Sequence, residues 1–166
     1  MRSRLPLLGL LAVVLLSGCM TTRGGVITTG ALADRLSGFV WPLPLPADAS
    51  VTSPYGPRGQ RHHDGIDLPG RGGDPIHAAG DGRVAFAGWR GGYGQTVIID
   101  HGGDVVTLYA HASTIYVRTG QTVRRGQPVA AIGRTGNATG DHLHFEIRWD
   151  GFPIDPVLLL PRLASR

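Results

Sequence analysis

Two short histidine motifs in this 166-residue chain have the spacing of metal ligands. In the first motif, His63 precedes Asp67 by four residues, and in the second, His142 and His144 flank a single leucine. Zinc accepts imidazole nitrogen and carboxylate oxygen, and a catalytic zinc site keeps three protein ligands and one open position. Residues two apart on a β-strand point to the same face, so one downstream histidine can bind the metal while the other faces a bound water. The motifs together predict a hydrolytic zinc site.

His111, which ends the run of residues 107–111, is a fifth candidate for this site. Because His62 and His63 would face opposite ways on a strand, the choice of the first ligand is ambiguous. We prefer His63 because only this residue pairs with Asp67 across a glycine. The other histidines are expected to be ordinary residues: His62, His77 and His101.

The central part of the chain, from about Val51 to Pro156, has the pattern of short strands broken by turns. The 26 glycines and 12 prolines of the chain are too frequent for long helices. A hairpin is predicted where one strand ends at Asp100 and the next begins at Val105. The composition therefore indicates an antiparallel, mostly β domain.

The clearest strand runs from His142 to Trp149 and alternates strictly between polar and apolar side chains. Such alternation predicts one face packed on a core and one face lining a groove. The groove face would carry His142, His144, Glu146 and Arg148. By the same reasoning, Thr107, Tyr109 and His111 should share one face of their own strand.

The beginning of the chain predicts export and anchoring. Arg2 and Arg4 precede an uncharged run from Leu5 to Leu16, the layout of a secretory signal, which is too short to span a bilayer. The following Ser17-Gly18-Cys19 completes a segment similar to the lipobox of bacterial lipoproteins, and Cys19 is the only cysteine. The predicted units are a signal peptide over 1–18, a lipidated Cys19 with a linker over 19–40, a domain over 41–156 that carries the zinc motifs, and a tail over 157–166.

The charge of the chain argues against nucleic acid as a partner. The formal net charge is +4, and all 16 basic residues are arginines that form no run or stripe. Two of these arginines lie in the predicted signal peptide. The remaining surplus is too small for a nucleic-acid-binding surface.

Several ordered motifs resemble the lysostaphin-type (LytM-like) zinc endopeptidases, which cleave peptidoglycan peptides. The matching segments are residues 53–58, 63–67, 92–94, 109–111, 120–123, 133–136 and 142–146. The resemblance implies a compact antiparallel β barrel-sandwich, a duplicated hybrid motif, with an open groove. It implies that His63, Asp67 and His144 bind zinc, and that His111 and His142 are the remaining active-site histidines.

Zinc lowers the pKa of a bound water to roughly 7, which makes hydroxide available at neutral pH. Either His111 or His142 would take the proton of the water and pass it to the leaving amine, and the two roles are open at this point. Tyr109 is a further candidate for stabilising the oxyanion. Glu146 is expected to support a metal ligand without binding the metal itself, or to pair with Arg148, rather than to act as the base.

The resemblance also implies partners and a location. Peptidoglycan would be the substrate, and in a Gram-negative cell the D-alanyl–diaminopimelate crosslink is the expected bond. The lipid anchor would hold the protein in the cell envelope, at the outer membrane facing the periplasm, because Met20 and not Asp follows Cys19.

Three alternative functions share features with this sequence. One is a non-catalytic lipoprotein that activates cell-wall amidases at division, although such proteins usually have a degraded ligand set. Another is a biotinyl or lipoyl carrier, which attaches its cofactor to lysine, and this chain has no lysine. The last is a cytoplasmic sugar phosphocarrier, which the signal sequence disfavours. An enzyme is the preferred interpretation because all five positions of the site are present.

Overall fold

The computed structural model describes residues 20–22, 25–27, 36, 38–44 and 51–160. The predicted signal peptide, Cys19 and residues 161–166 of the predicted tail lie outside this described part. No helix of the described residues is long and apolar enough to cross a membrane.

Short strands make up most of the described chain, with two brief 3-10 helices at Gly91–Tyr93 and Pro156–Leu158. The strands in chain order are β1 Met20–Thr22, β2 Gly25–Ile27, β3 Gly56–Arg58, β4 Arg61–His63, β5 Ile66–Pro69, β6 Pro75–His77, β7 Gly82–Trp89, β8 Gln95–Asp100, β9 Val105–Ile115, β10 Thr122–Val123, β11 Pro128–Ile132, β12 His142–Trp149 and β13 Phe152–Ile154. The predicted strand from His142 to Trp149 and the predicted hairpin of β8 and β9 are confirmed.

Nine of these strands form one sheet in which every pairing is antiparallel. The sheet runs β10-β7-β8-β9-β11-β6, and β12 joins it beside β9 and carries β5 and β13. Two separate hairpins, β1–β2 and β3–β4, complete the strands. The predicted antiparallel, mostly β fold is confirmed, and the described strands do not close into a barrel.

Strand β9 changes its partner at His111. Residues 105–110 of β9 pair with β12, whereas Ala112, Thr114 and Ile115 pair with β11. His111 itself takes a left-handed conformation with φ 61°. The sheet therefore forks at this residue, and an isolated bridge between Gly133 and His142 links the two branches.

The hydrophobic core lies under the apolar face of β12. Leu143, Phe145 and Ile147 are fully buried and Trp149 is 6% exposed, as the alternation predicts. The ring of Phe145 packs 5.3 Å from that of Tyr109 on the neighbouring strand. Each such side chain contributes about 1.5–3 kcal/mol by leaving water, so this face fixes which side of β12 points to the groove.

Residues on both sides of the segment 41–156 also pack on this core. Leu36 is 1% exposed, Phe39 is 8% exposed and Leu160 is 5% exposed, and all three belong to the core cluster. Part of the predicted linker therefore contributes to the packed domain, and the predicted tail begins with the 3-10 helix Pro156–Leu158.

Candidate metal centre and groove

The two histidine motifs meet because β5 and β12 are paired in one register. His63 ends β4, a two-residue connection follows, and Asp67 of β5 lies directly opposite His144 of β12. A Cβ atom added to Gly65 in this connection would lie 2.3 Å from the carbonyl oxygen of Phe145. Glycine therefore allows the chain to pass close enough to β12 for the motifs to meet.

Three ligand atoms converge at this crossing. His144 Nδ1 lies 3.0 Å from Asp67 Oδ1 and 3.0 Å from His63 Nε2, and His63 Nε2 lies 3.2 Å from Asp67 Oδ1. Both histidines are buried, whereas Asp67 is partly open to the groove. Two imidazoles and one carboxylate at this separation could hold a metal ion.

His142 and His111 stand beside this cluster on its open side. The rings of the two residues are 4.8 Å apart, and His142 Nε2 lies 3.8 Å from Asp67 Oδ1. Each ring has its Nδ1 at a backbone carbonyl, Thr135 for His111 at 2.8 Å and Gly140 for His142 at 2.9 Å. If Nδ1 donates in both rings, both Nε2 atoms are free to accept a proton.

The side chain of His111 points to the groove in a way that the alternation of its strand did not predict. Tyr109 is opposite Phe145 on the core face, so a regular strand would turn His111 to the core as well. The left-handed backbone at His111 breaks the alternation and rotates this side chain into the groove. The expectation that Thr107, Tyr109 and His111 share one face is therefore wrong.

The expected role of Tyr109 is also wrong. Its side chain is fully buried, and its hydroxyl accepts hydrogen bonds from the amide of Ala79 at 2.8 Å and from the hydroxyl of Thr107 at 2.9 Å. Burial raises the pKa of Tyr109 to about 12 against the effect of these hydrogen bonds. Tyr109 is a core residue and cannot reach an oxyanion in the groove.

Glu146 lies behind the cluster, where the strand spacing predicts it. One carboxylate oxygen lies 3.0 Å from His144 Nε2, and the other accepts a hydrogen bond from Arg148 Nε at 2.5 Å. The expectation that Glu146 holds a ligand or pairs with Arg148 agrees with both contacts. The hydroxyl of Tyr93 donates to the same carboxylate at 2.7 Å, a partner that the sequence did not reveal.

The carboxylates of the cluster are strongly stabilised in the ionised form. Burial alone would raise the pKa of Asp67, but the hydrogen bond from His144 and the charges of nearby histidines lower it to about 2. Burial would likewise raise the pKa of Glu146, and hydrogen bonds from His144, Arg148 and Tyr93 lower it to about 2. Both groups are therefore acceptors for the surrounding nitrogens at neutral pH.

The histidines respond to the same surroundings in different directions. Burial lowers the pKa of His63 and of His111, more than their backbone hydrogen bonds raise it. Burial also lowers the pKa of His144, but hydrogen bonds to Asp67 and Glu146 outweigh it, so the net shift is upward.

The cluster forms the floor of a groove of about 560 Å³. Its walls come from the β3–β4 hairpin, the turn containing Tyr93 and the loop before β12, and include Arg58, Arg61, His62, Tyr93, Asn137 and Thr139. His62 is exposed and its Nδ1 lies 3.0 Å from Asp64 Oδ1, so the preference for His63 as the inner residue of the pair agrees with the geometry.

The sequence alone indicated no role for Arg58 or Tyr93, although both lie inside segments that resemble the lysostaphin-type endopeptidases. Arg58 Nη2 donates to Asp67 Oδ2 at 3.2 Å and to the hydroxyl of Ser53, and it lies 2.7 Å from His63 Nδ1. The ring of Tyr93 packs 5.5 Å from that of His144. Their proximity depends on the β3–β4 hairpin and on a 3-10 helix, which periodicity does not predict.

The chain is similar in sequence to a bacterial endopeptidase, a lipoprotein and a murein hydrolase activator. It is 42% identical over 113 residues to the DD-carboxypeptidase/endopeptidase Mpg of Neisseria meningitidis serogroup B, covering 64% of this chain and 26% of that protein. It is 39% identical to the uncharacterized lipoprotein YgeR of Escherichia coli K12, covering 88% and 59% of the two chains. It is 38% identical to the murein hydrolase activator NlpD of Salmonella typhimurium, covering 86% and 36%. The chain therefore spans less than two thirds of the length of these relatives.

Solved structures of peptidases show a similar fold. A zinc-containing peptidase from Vibrio cholerae matches with a TM-score of 0.66 and 33% identity, covering 71% of this chain and 39% of that one. The catalytic domain of lysostaphin from Staphylococcus simulans matches with a TM-score of 0.62 and 29% identity, covering 67% and 91%.

The family itself follows from the segment that holds both histidine motifs. Residues 61–156 match peptidase family M23, and this segment includes the β5–β12 crossing, the fork at His111 and the groove loop before β12. The chain belongs to peptidase family M23.

Proposed function

We propose that this protein is a zinc-dependent endopeptidase that hydrolyses peptide crosslinks of peptidoglycan. The single observation that carries the proposal is the convergence of His63 Nε2, Asp67 Oδ1 and His144 Nδ1, with ligand atoms all within 4.8 Å of one another. The zinc-containing peptidase of Vibrio cholerae and the endopeptidase Mpg support the choice of metal and reaction.

The donor set fits zinc on chemical grounds. Two imidazoles and one carboxylate are a common set for a catalytic zinc, and the groove leaves one side of the cluster open. The far nitrogen of His144 has an acceptor in Glu146 at 3.0 Å, which favours the nitrogen that faces the cluster as the unprotonated one. The far nitrogen of His63 lies 2.7 Å from both Pro54 O and the Arg58 guanidinium.

The protein's own residues supply substrate positioning and proton transfer. Zinc, when bound, would polarise the scissile carbonyl and make hydroxide available at neutral pH. His111 and His142 present Nε2 to the groove, where one accepts a proton and the other donates a hydrogen bond to the developing negative charge. The open ends of the groove would accommodate an extended peptide on either side of the scissile bond.

The experiment uses residues 20–166, because Leu36 and Phe39 belong to the core. This protein, purified without any amidase, should convert crosslinked muropeptide dimers to monomers, and a chelator should stop the reaction. His144→Ala is the matched inactive control. Dimers that persist under every condition, with zinc bound, would contradict the endopeptidase proposal.

A second candidate is an activator of cell-wall amidases, which the similarity to NlpD over 86% of this chain favours. This function would require no hydrolysis by the chain itself. Purified amidase would then be stimulated by the wild type and equally by His144→Ala. Testing residues 36–166 alongside residues 20–166 separates this case from an enzyme that its own N-terminal segment inhibits.

We further propose that the protein is held in the cell envelope, at the outer membrane facing the periplasm, by lipid on Cys19. The similarity to the lipoprotein YgeR supports this location. Cys19→Ala should abolish labelling by radioactive palmitate, because the chain has no other cysteine. Continued labelling of the variant would show that the lipobox interpretation is wrong.

A further inference from the structure

The two ring nitrogens of His144 lie in different surroundings. Nδ1 faces the cluster, 3.0 Å from Asp67 Oδ1 and 3.0 Å from His63 Nε2. Nε2 faces away from it, 3.0 Å from Oε1 of Glu146. The carboxylate is therefore placed to accept a proton from one nitrogen while the other nitrogen points at the metal position.

Other side chains hold the carboxylate of Glu146 in place. Glu146 is fully buried; Tyr93 donates to Oε1 at 2.7 Å and Arg148 Nε donates to Oε2 at 2.5 Å. Arg148 is itself held by Asp64, which accepts from Nη2 at 2.9 Å. Tyr93, Arg148 and Asp64 thus form an array that holds both oxygens of the Glu146 carboxylate in place.

The other histidines of the site have a different kind of partner. Nδ1 of His63 faces the carbonyl of Pro54 and the guanidinium of Arg58, that of His111 faces the carbonyl of Thr135, and that of His142 faces the carbonyl of Gly140. Of these four rings, only that of His144 has a carboxylate behind it. An ionised acceptor makes an imidazole a stronger metal ligand than a neutral carbonyl does.

We propose that Glu146 is a positioning residue for the metal centre. It keeps the proton of His144 on Nε2, so that Nδ1 is free to bind zinc, and the array of Tyr93, Arg148 and Asp64 holds it in that position. This inference rests on the proposed zinc site. It also connects Tyr93, on the groove wall, to a metal ligand through a single carboxylate.

A purely structural role would be the simpler alternative. Residues two apart on β12 share a face, so Glu146 and Arg148 would form an ion pair even without a metal nearby. The division of the two oxygens argues otherwise, because Arg148 takes Oε2 while Oε1 faces His144 and Tyr93. An ion pair alone would not require Oε1 to be aligned with the ring nitrogen.

The first test is the zinc affinity of Glu146→Gln, measured by competition with a chromogenic chelator. The variant keeps the size of the side chain and removes its charge. We expect a loss of about 10- to 100-fold in zinc affinity, the usual effect of removing such a partner. Tyr93→Phe, which leaves the carboxylate in place, should lose less. Thermal unfolding of both metal-free variants checks that the fold is kept.

The second test is the protonation of the His144 ring in the zinc-loaded protein, observed by ¹⁵N NMR. The inference requires the proton on Nε2 and the metal-induced shift on Nδ1. A proton on Nδ1 would overturn it, as would zinc affinity in Glu146→Gln within about 3-fold of wild type, well below the usual loss. An ion pair with Arg148 alone predicts that unchanged affinity.

The two proposals fail in different ways. A wild-type protein that binds no zinc would overturn the proposed function and this inference together. A wild-type protein that binds zinc through the other ligands, with His144 insensitive to Glu146, would overturn only the inference.

Discussion

Tyr109 and His111 are two residues apart on β9, yet their side chains lie on opposite sides of the sheet. Tyr109 is buried against Phe145, whereas the ring of His111 lies 4.8 Å from that of His142 in the groove. The cause is the left-handed backbone of His111, at φ 61°, where β9 changes from β12 to β11 as its partner. The fifth site residue is therefore presented by an interruption of the strand and not by its regular alternation.

This backbone conformation predicts an unusual order of stability. A left-handed conformation costs a residue with a Cβ atom about 1–2 kcal/mol, and glycine avoids the cost. His111→Gly should therefore be more stable than His111→Ala by about 1 kcal/mol, although glycine is ordinarily the weaker residue in a strand. Urea unfolding of the two metal-free variants measures the difference. An alanine variant equal to or more stable than the glycine variant would contradict the left-handed assignment.

Regular strands explain why so much of the site could be predicted. The alternation along β12 placed His142, His144 and Glu146 on one face, because the apolar residues between them could only pack on the core. The spacing of His63 and Asp67 indicated that both residues bind the same metal ion. Both results depend on local periodicity and on residue chemistry, which the sequence contains directly.

Irregular backbone explains what was missed. Regular alternation placed Tyr109 on the same face as His111, in the groove, because the sequence does not reveal the fork at His111. Tyr93 comes to Glu146 from a 3-10 helix 53 residues upstream. No pattern of hydrophobic residues encodes that contact, because it depends on where two distant segments lie in the folded chain.

The close approach of Gly65 to β12 predicts that the metal site requires glycine at this position. A Cβ atom there would lie 2.3 Å from the carbonyl oxygen of Phe145, so the β4–β5 connection must move away from β12 in Gly65→Ala. We expect lower stability and a loss of zinc affinity, because the shift separates His63 and Asp67 from His144. Gly140→Ala is the control, since nothing lies within 4 Å of its added Cβ. Equal zinc affinity in the two variants would contradict the close crossing.

The proposed roles of the five site residues predict two classes of variant. His63→Ala, Asp67→Ala and His144→Ala each remove one of three ligands and should lose most of the bound zinc, measured by metal analysis of the purified proteins. His111→Ala and His142→Ala should keep the zinc and lose activity by about 10²- to 10⁴-fold, the range for general acid–base catalysis. If either variant lost zinc as His144→Ala does, the roles would have to be exchanged.

His101, outside the metal centre, predicts a pH dependence of stability. Its Nδ1 lies 2.7 Å from the carbonyl of Asp81 and its Nε2 lies 2.7 Å from the hydroxyl of Thr107. Burial lowers the pKa of His101, against the smaller raising effects of the Asp81 carbonyl and of Asp100 and Asp81. The folded state therefore favours the neutral ring more than the unfolded state does.

The sign of the effect follows from this downward shift. The stability that neutral His101 contributes is complete above its unfolded pKa of about 6.5 and is lost as the pH falls through the lower folded pKa. The free energy of unfolding should therefore fall more steeply between pH 7 and pH 5 in the wild type than in His101→Gln. One proton gives at most about 1.4 kcal/mol per pH unit of difference in slope. Urea unfolding in chelator at several pH values measures both slopes, and the contribution of the site histidines is common to the two proteins. Equal slopes, or a steeper one in the variant, would show that His101 titrates normally in the fold.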